Sequence, residues 1–210
     1  KILEKIGKKY SVQPRFIIAL WGIETDFGRL DGGFSVVHSL ATLALDGRRS
    51  KFFRKELIRA LRILDQGHIN IRDMRGSWAG AMGQFQFMPS SFENFAVDHD
   101  NDGKRDIWRN KKDAFASAAN YLSKSGWKGD QTWGREVRTP EEFDGTLINS
   151  KSFKRMSKWR SLGIKRANGR DLPSRELLGA LVKSKDSDSK VYLVYKNYFT
   201  ILKWNRSLYF

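Results

Sequence analysis

Ala19-Leu20-Trp21-Gly22-Ile23-Glu24-Thr25-Asp26-Phe27-Gly28 is the stretch on which the reading of this chain turns. Pro14 suits a first helical turn, and Ile17, Leu20, Trp21 and Glu24 then recur at the three- and four-residue spacing of one helix face. That face is apolar except for the glutamate. A carboxyl group held against Trp and Leu loses hydration of its charged form, so its pKa is expected to rise and it can keep a proton near neutral pH. A general acid needs this property. The same position also suits a glutamate that ends the helix, reaching for solvent or bonding a backbone amide.

Outward from this helix, apolar residues keep helical spacing over 35–45 (Val36, Val37, Leu40, Leu43, Ala44), 52–64 (Phe53, Leu57, Leu61, Leu64) and 113–122 (Ala114, Ala118, Tyr121, Leu122). Residues 1–127 therefore read as a helical core. Past Trp127 the texture changes, with turn signals at Thr139-Pro140, Asp144-Gly145, Asn168-Gly169 and Leu172-Pro173, so 128–194 reads as a smaller β-containing lobe. The last stretch alternates apolar residues from Val191 and stays aromatic, which predicts a strand running into a helix. Residues 195–210 are expected to return to the core. Lys183 to Lys190 reads as a solvated loop. The fold class is α+β and mainly α.

The 210 residues carry 39 Lys and Arg against 23 Asp and Glu, a formal charge of +16, which implies a polyanionic partner: nucleic acid, an anionic membrane face or an acidic wall polymer. The chain lacks cysteine, which excludes disulfides and thiol chemistry, and its three histidines make a His-built zinc site a poor fit. No apolar run approaches a membrane span, and Lys1-Ile2-Leu3-Glu4 does not resemble a signal peptide, so a soluble chain is expected.

Three further segments carry chemistry. Gly76-Ser77-Trp78-Ala79-Gly80-Ala81-Met82-Gly83-Gln84-Phe85-Gln86-Phe87-Met88-Pro89-Ser90-Ser91 combines small residues with hydroxyl and amide groups. It suits a neutral polar ligand such as a sugar, and equally a tightly packed helix entry with Pro89 in the first turn. It lacks the Gly-Lys-Ser/Thr ending of a phosphate loop. Asp98-His99-Asp100-Asn101-Asp102-Gly103-Lys104-Arg105-Asp106 places carboxylates at positions 1, 3, 5 and 9 with Gly at 6, the pattern of an oxygen-ligated calcium loop. Lys104 would serve through its carbonyl. Arg109 stands where a bidentate Glu is usual, and Asp113 is the expected substitute. An Asx-rich turn without metal is the alternative. Arg48-Arg49, between two helices, could grip a carboxylate or phosphate bidentately.

In this order the segments resemble the membrane-bound lytic murein transglycosylase B family, peptidoglycan-cleaving enzymes with a lysozyme-like core. Carrying the resemblance are Trp21 to Thr25 with Phe27-Gly28, Ala41-Thr42-Leu43-Ala44 with Arg48-Arg49, Gly76 to Gly83 and Gln86 to Ser91. The aspartate loop, Ala119-Asn120-Tyr121-Leu122, Gly126-Trp127 and Trp204-Asn205-Arg206-Ser207 continue it. The resemblance implies that Glu24 is the single catalytic acid/base and that Ser77, Gln86, Tyr121 and Asn205 line the glycan cleft. It places Arg48 and Arg49 where stem-peptide or lactyl carboxylates pass, and makes Asp98, Asp100, Asp102, Lys104 and Asp113 the ligands of a structural calcium ion. It also implies chemistry without a cofactor, peptidoglycan glycan strands rather than nucleic acid as partner, and a monomer. The expected location is the periplasm or cell envelope of a Gram-negative bacterium, with any lipid anchor outside this chain.

Two rivals remain on the residues alone. A hydrolytic muramidase would need a second carboxylate, Asp26 or Asp31, although Asp26 lies two residues from Glu24 and so on another helix face. A basic peptidoglycan- or nucleic-acid-binding module without activity would need none.

Overall fold

The structure, a computed structural model, describes residues 1–149, 152–184 and 190–207. Most of the loop expected between Lys183 and Lys190, and the last three residues of the C-terminal segment, lie outside the described residues. Two units divide the chain, Lys1–Lys124 and Ser125–Phe210.

The first unit is helical, in the order α1 (Ile2–Tyr10), α2 (Pro14–Thr25), α3 (Val36–Leu45), α4 (Ser50–Asp65), α5 (Pro89–Phe95) and α6 (Lys111–Lys124). Local chemistry explains where these begin. Pro14 and Pro89 occupy first-turn positions, where the missing N–H costs nothing. The Ser35 hydroxyl accepts the backbone N–H of His38 and caps α3. A two-residue antiparallel ladder joins β1 (Phe34–Ser35) to β2 (Arg75–Gly76) and ties the chain after α2 to the start of the glycine-rich run. No periodic signal in the sequence announces so short a pairing.

Helix α6 is the axis of this unit. Every residue from Asp113 to Asn120 is buried, as is Leu122, and α1, α2 and α5 all pack against the helix. The spacing of Ala114, Ala118 and Leu122 predicts one apolar face, yet the helix is covered on all sides because Ala and Ser let neighbours close on every face.

The second unit is built on an antiparallel sheet of strand order β4 (Lys154–Arg155), β6 (Leu178–Lys183), β7 (Val191–Val194), β3 (Gly134–Arg138) and β5 (Lys165–Arg166). A single 3-10 turn (Gly145–Leu147), α7 (Met156–Ser161) and α8 (Lys196–Trp204) complete it. Its core gathers Val137, Met156, Trp159, Ile164, Leu172, Leu181, Leu193 and Tyr195. The expected strand-to-helix ending is present as β7 followed by α8, which groups with this unit. Among the described residues no helix is long and apolar enough to cross a membrane.

Candidate active site

Glu24 is the penultimate residue of α2 and half-buried. Ile17 and Leu20 of the same face are buried. Trp21, one turn before the glutamate, is half-buried and meets Phe115 of α6 edge-on at a centroid distance of 5.0 Å. Immediately after Glu24 the chain leaves the helix through three left-handed residues, Asp26 (φ 49°), Phe27 (φ 60°) and Gly28 (φ 82°). A bulky side chain rarely takes this conformation. It is held here by hydrogen bonds from Asp26 N to Gly22 O (2.9 Å), Gly28 N to Thr25 Oγ1 (3.1 Å) and Leu30 N to Thr25 O (2.9 Å), and by Phe27 packed edge-on against Trp21 at 5.5 Å. The turn ends the helix one residue beyond the acid.

Asp26 is the left-handed residue that follows α2. Its carboxylate takes two bonds from Arg29, at 2.7 and 2.8 Å, and the Arg29 guanidinium holds it below the usual aspartate range. The main-chain oxygen of Asp31 accepts from Gln86 Nε2 at 3.1 Å.

The glycine-rich run folds into a tight double turn. Ser77 N donates to Ala81 O (2.8 Å), the Ser77 hydroxyl accepts from Ala81 N (3.0 Å), and Met82 and Phe87 exchange backbone bonds at 2.9 Å. Gln86 sits at φ 48° and donates its amide to Asp31 O and Gly83 O, which leaves its carbonyl oxygen as the atom able to face a ligand. Tyr121 of α6 is half-buried with its ring against Phe95 (4.3 Å) and Phe87 (5.9 Å), and burial raises its pKa. Pro89 opens α5 at the end of the run, so the tightly packed helix entry is realised.

Arg48 and Arg49 lie on the connection between α3 and α4, but they are not equivalent. Arg48 is 93% exposed, with Asp46 at 3.7 Å. Arg49 (φ 57°) is the residue before α4, its guanidinium stacked over Phe52 (4.6 Å) and Phe53 (5.7 Å). Asn205 belongs to the second unit, where it ends α8 and accepts from Ser207 N at 2.9 Å.

The structure brings together four of the expected metal ligands. Asp98, Asp100, Asp102 and Asp113 each offer a carboxylate oxygen within 4.8 Å of the others. Loop N–H groups fix their directions: Asp98 accepts from Asp102 N and Gly103 N, and Asp102 from Lys104 N. Gly103 turns at φ 88°. Asp113 is fully buried and accepts from His99 N (2.7 Å) and Asp106 N (3.0 Å). Burial first, and the charges of Asp100 and Asp98 in addition, push its pKa up to about 6. Four carboxylates so close, one of them buried, fit a hard cation that seeks six to eight oxygens. Asp106, at position 9, instead accepts from Trp108 N and Arg109 N, both at 2.9 Å, and starts the turn toward α6.

The sequence reading missed Gln84 and Thr25. Gln84 is 7% exposed, and its amide takes the Trp21 indole N–H at 2.8 Å while giving its own N–H to Trp108 O at 2.8 Å. Thr25, 1% exposed, donates its hydroxyl to Gln84 O at 2.9 Å. A polar residue inside a glycine-rich apolar run was the available signal.

The family model "Transglycosylase SLT domain" matches residues 1–210. The chain belongs to the SLT transglycosylase family. Over 131 residues it is 40% identical to membrane-bound lytic murein transglycosylase B of Escherichia coli, covering 61% of this chain and 36% of that protein. Pseudomonas aeruginosa SltB3, in complex with NAG-anhNAM-pentapeptide, superposes with a TM-score of 0.95 at 42% identity, over 100% of this chain and 56% of SltB3. Escherichia coli Slt35, in complex with calcium, superposes with a TM-score of 0.83 at 28% identity, over 99% of this chain and 65% of Slt35. The chain thus spans about a third of the E. coli relative and little more than half of SltB3. The mainly helical, lysozyme-like fold class expected from sequence is the one these SLT transglycosylases share.

Proposed function

We propose that this chain is the transglycosylase module of a peptidoglycan lytic enzyme. It cleaves the β-1,4 bond between N-acetylmuramic acid and N-acetylglucosamine without water and leaves 1,6-anhydro-muramyl ends. One observation carries the reading: Glu24, half-buried, stands in the last turn of α2 on the face of buried Ile17 and Leu20, and Asp26, its neighbour in sequence, is ion-paired with Arg29 beyond the helix end. The SltB3 complex with an anhydro-muramyl product supports the same chemistry by relation.

Protonated Glu24 gives its proton to the glycosidic oxygen as the bond to the muramyl anomeric carbon breaks and positive charge develops there. The carboxylate then takes the proton of the 6-hydroxyl of the same muramyl residue, and that oxygen bonds the anomeric carbon. Glycosidases that use two carboxylates need the second as nucleophile or to activate water. An internal hydroxyl already in place lets one glutamate serve both steps. The Ser77 hydroxyl, the Gln86 carbonyl and Tyr121 supply neutral polar contacts for the glycan. Exposed Arg48 and stacked Arg49 are fitted to stem-peptide carboxylates.

The reaction needs no cofactor. Asp98, Asp100, Asp102, the Lys104 carbonyl and Asp113 would hold a calcium ion that neutralises their crowding and ties the loop to the start of α6. We place the enzyme in the periplasm or cell envelope of a Gram-negative bacterium, working as a monomer on glycan strands. Mass spectrometry of sacculi digested by wild type and by Glu24→Gln tests the reading. Anhydro-muropeptides from wild type and at least a hundredfold less from the variant are expected; reducing muramyl ends would instead establish a hydrolase.

A further inference from the structure

Gln84 joins three segments beside the last turn of α2. Its side-chain oxygen accepts the Trp21 indole N–H (2.8 Å), its side-chain N–H reaches Trp108 O (2.8 Å), its backbone N donates to Ile107 O (2.9 Å), and its backbone oxygen accepts the Thr25 hydroxyl (2.9 Å). Gly28 closes over the same amide so tightly that a Cβ there would stand 2.3 Å from Gln84 Oε1. Trp21 and Thr25 lie three residues before Glu24 and one after it. Fixing both sets the rotation of the last turn of α2, and with it the direction in which Glu24 projects.

We infer that Gln84, acting with Thr25, is a positioning residue that locks the aim of the Glu24 carboxylate. The inference rests on the function proposed above. A carboxylate that must donate to one oxygen and then collect from another has little tolerance for drift, and a misplacement of about 1 Å can cost a hundredfold in rate. Helix termination does not require this clamp, because the bonds from Asp26 N and Leu30 N already satisfy the carbonyls of Gly22 and Thr25. Burying an amide and a hydroxyl carries a desolvation cost that a Met and a Val of the same shape would avoid. What the polar pair adds is direction, since a hydrogen bond fails when its partner turns away and an apolar contact does not.

The test compares Gln84→Met, Thr25→Val and Thr25→Ser in steady-state kinetics on soluble glycan strands across pH, with rates expressed per folded molecule from thermal melts. Gln84→Met and Thr25→Val should each lower kcat by about ten- to a hundredfold, leave KM within about threefold, and shift the limb of the pH profile that Glu24 sets. Thr25→Ser, which keeps the hydroxyl, should restore kcat to within about threefold of wild type. Together the two lesions should cost less than the product of the single effects, because they break one clamp. If kcat per folded molecule is unchanged, or if only the melting temperature falls while the pH profile stays in place, the inference is overturned. Should Gln84→Met fail to fold, the two Thr25 variants decide by the same readouts. Full activity of Glu24→Gln would reject the proposed function and this inference together. An inactive Glu24→Gln beside fully active clamp variants would reject the inference alone.

Discussion

The carboxylate of Glu56, 1% exposed in the middle of α4, accepts the backbone N–H of Ser90 at 2.8 Å and so caps α5 from another helix. Its other oxygen lies 3.2 Å from Arg59, which also binds Glu93 of α5 at 2.7 Å. Ser90 belongs to the run that also carries Ser77 and Gln86, so this bond fixes the far end of the glycine-rich segment. Replacing Glu56 with Ala leaves a partly buried N–H and one face of Arg59 without this partner. A loss of about 2 kcal/mol is expected, seen as a fall of about 5 °C in the melting temperature. Glycan cleavage per folded molecule should be unchanged.

Asp26→Asn should retain at least about a third of wild-type anhydro-muropeptide release, measured by chromatography of digested sacculi, whereas loss of a true second catalytic carboxylate would cost a hundredfold or more. The reason is geometric. The Asp26 carboxylate is bound at both oxygens by Arg29 and lies on the turn after the helix, not on the face of Glu24.

Calcium in millimolar amounts should raise the melting temperature relative to excess chelator, because an ion that binds only the folded loop favours folding by mass action. Asp100→Asn combined with Asp102→Asn should abolish the difference, as both belong to the four-carboxylate cluster. Identical melting curves for wild type under the two conditions would show that the cluster holds no useful ion.

Arg48 and Arg49 differ in surroundings and should differ in effect. Joint replacement by Ala should weaken binding to peptide-bearing sacculi more than to glycan stripped of its peptides, measured by co-sedimentation. Of the single changes, Arg49→Ala should also lower stability by about 0.5–1 kcal/mol, since its stacking on Phe52 and Phe53 is lost. Exposed Arg48→Ala should leave stability unchanged. An equal loss of binding on both substrates would assign the pair to general charge attraction.

His68 gives a pH dependence. Burial, then the neighbouring Arg105 guanidinium, lower its pKa from the ordinary 6.5. Arg105 places its backbone N–H at one ring nitrogen (3.3 Å) and its Nε–H at the other (3.1 Å); the neutral ring can accept one of these bonds and the protonated ring neither. The unfolded chain therefore binds the proton more readily than the folded one, so stability falls as pH drops below 6.5 and levels off beneath the folded value. Denaturant midpoints at about pH 8 and about pH 5 should differ less in His68→Gln than in wild type.

Much of the framework is legible locally. Pro14, the spacing of Ile17, Leu20, Trp21 and Glu24, and the Ser35 cap each act within one or two helical turns, so the sequence carries them without knowledge of the rest. The aspartate loop is legible for the same reason, its ligands and Gly103 lying within a single turn of chain, with Asp113 reached because the next helix starts there. Position 9 shows the limit: Asp106 fits the pattern by spacing, yet its carboxylate is engaged by the N–H groups of Trp108 and Arg109.

By itself the sequence determined which residues could do the chemistry, because a helical period, a cap and a loop pattern are short-range properties of the chain. Only the tertiary structure decided how they are held. The Trp21–Gln84 bond spans 63 residues, and the amide of Gln86 is turned toward an oxygen 55 residues away. The full burial of Asp113 and the closure of neighbours around α6 likewise depend on packing across the fold. Spacing records the face a side chain occupies, but the direction of a hydrogen bond is set by whichever group folding brings within about 3 Å of it.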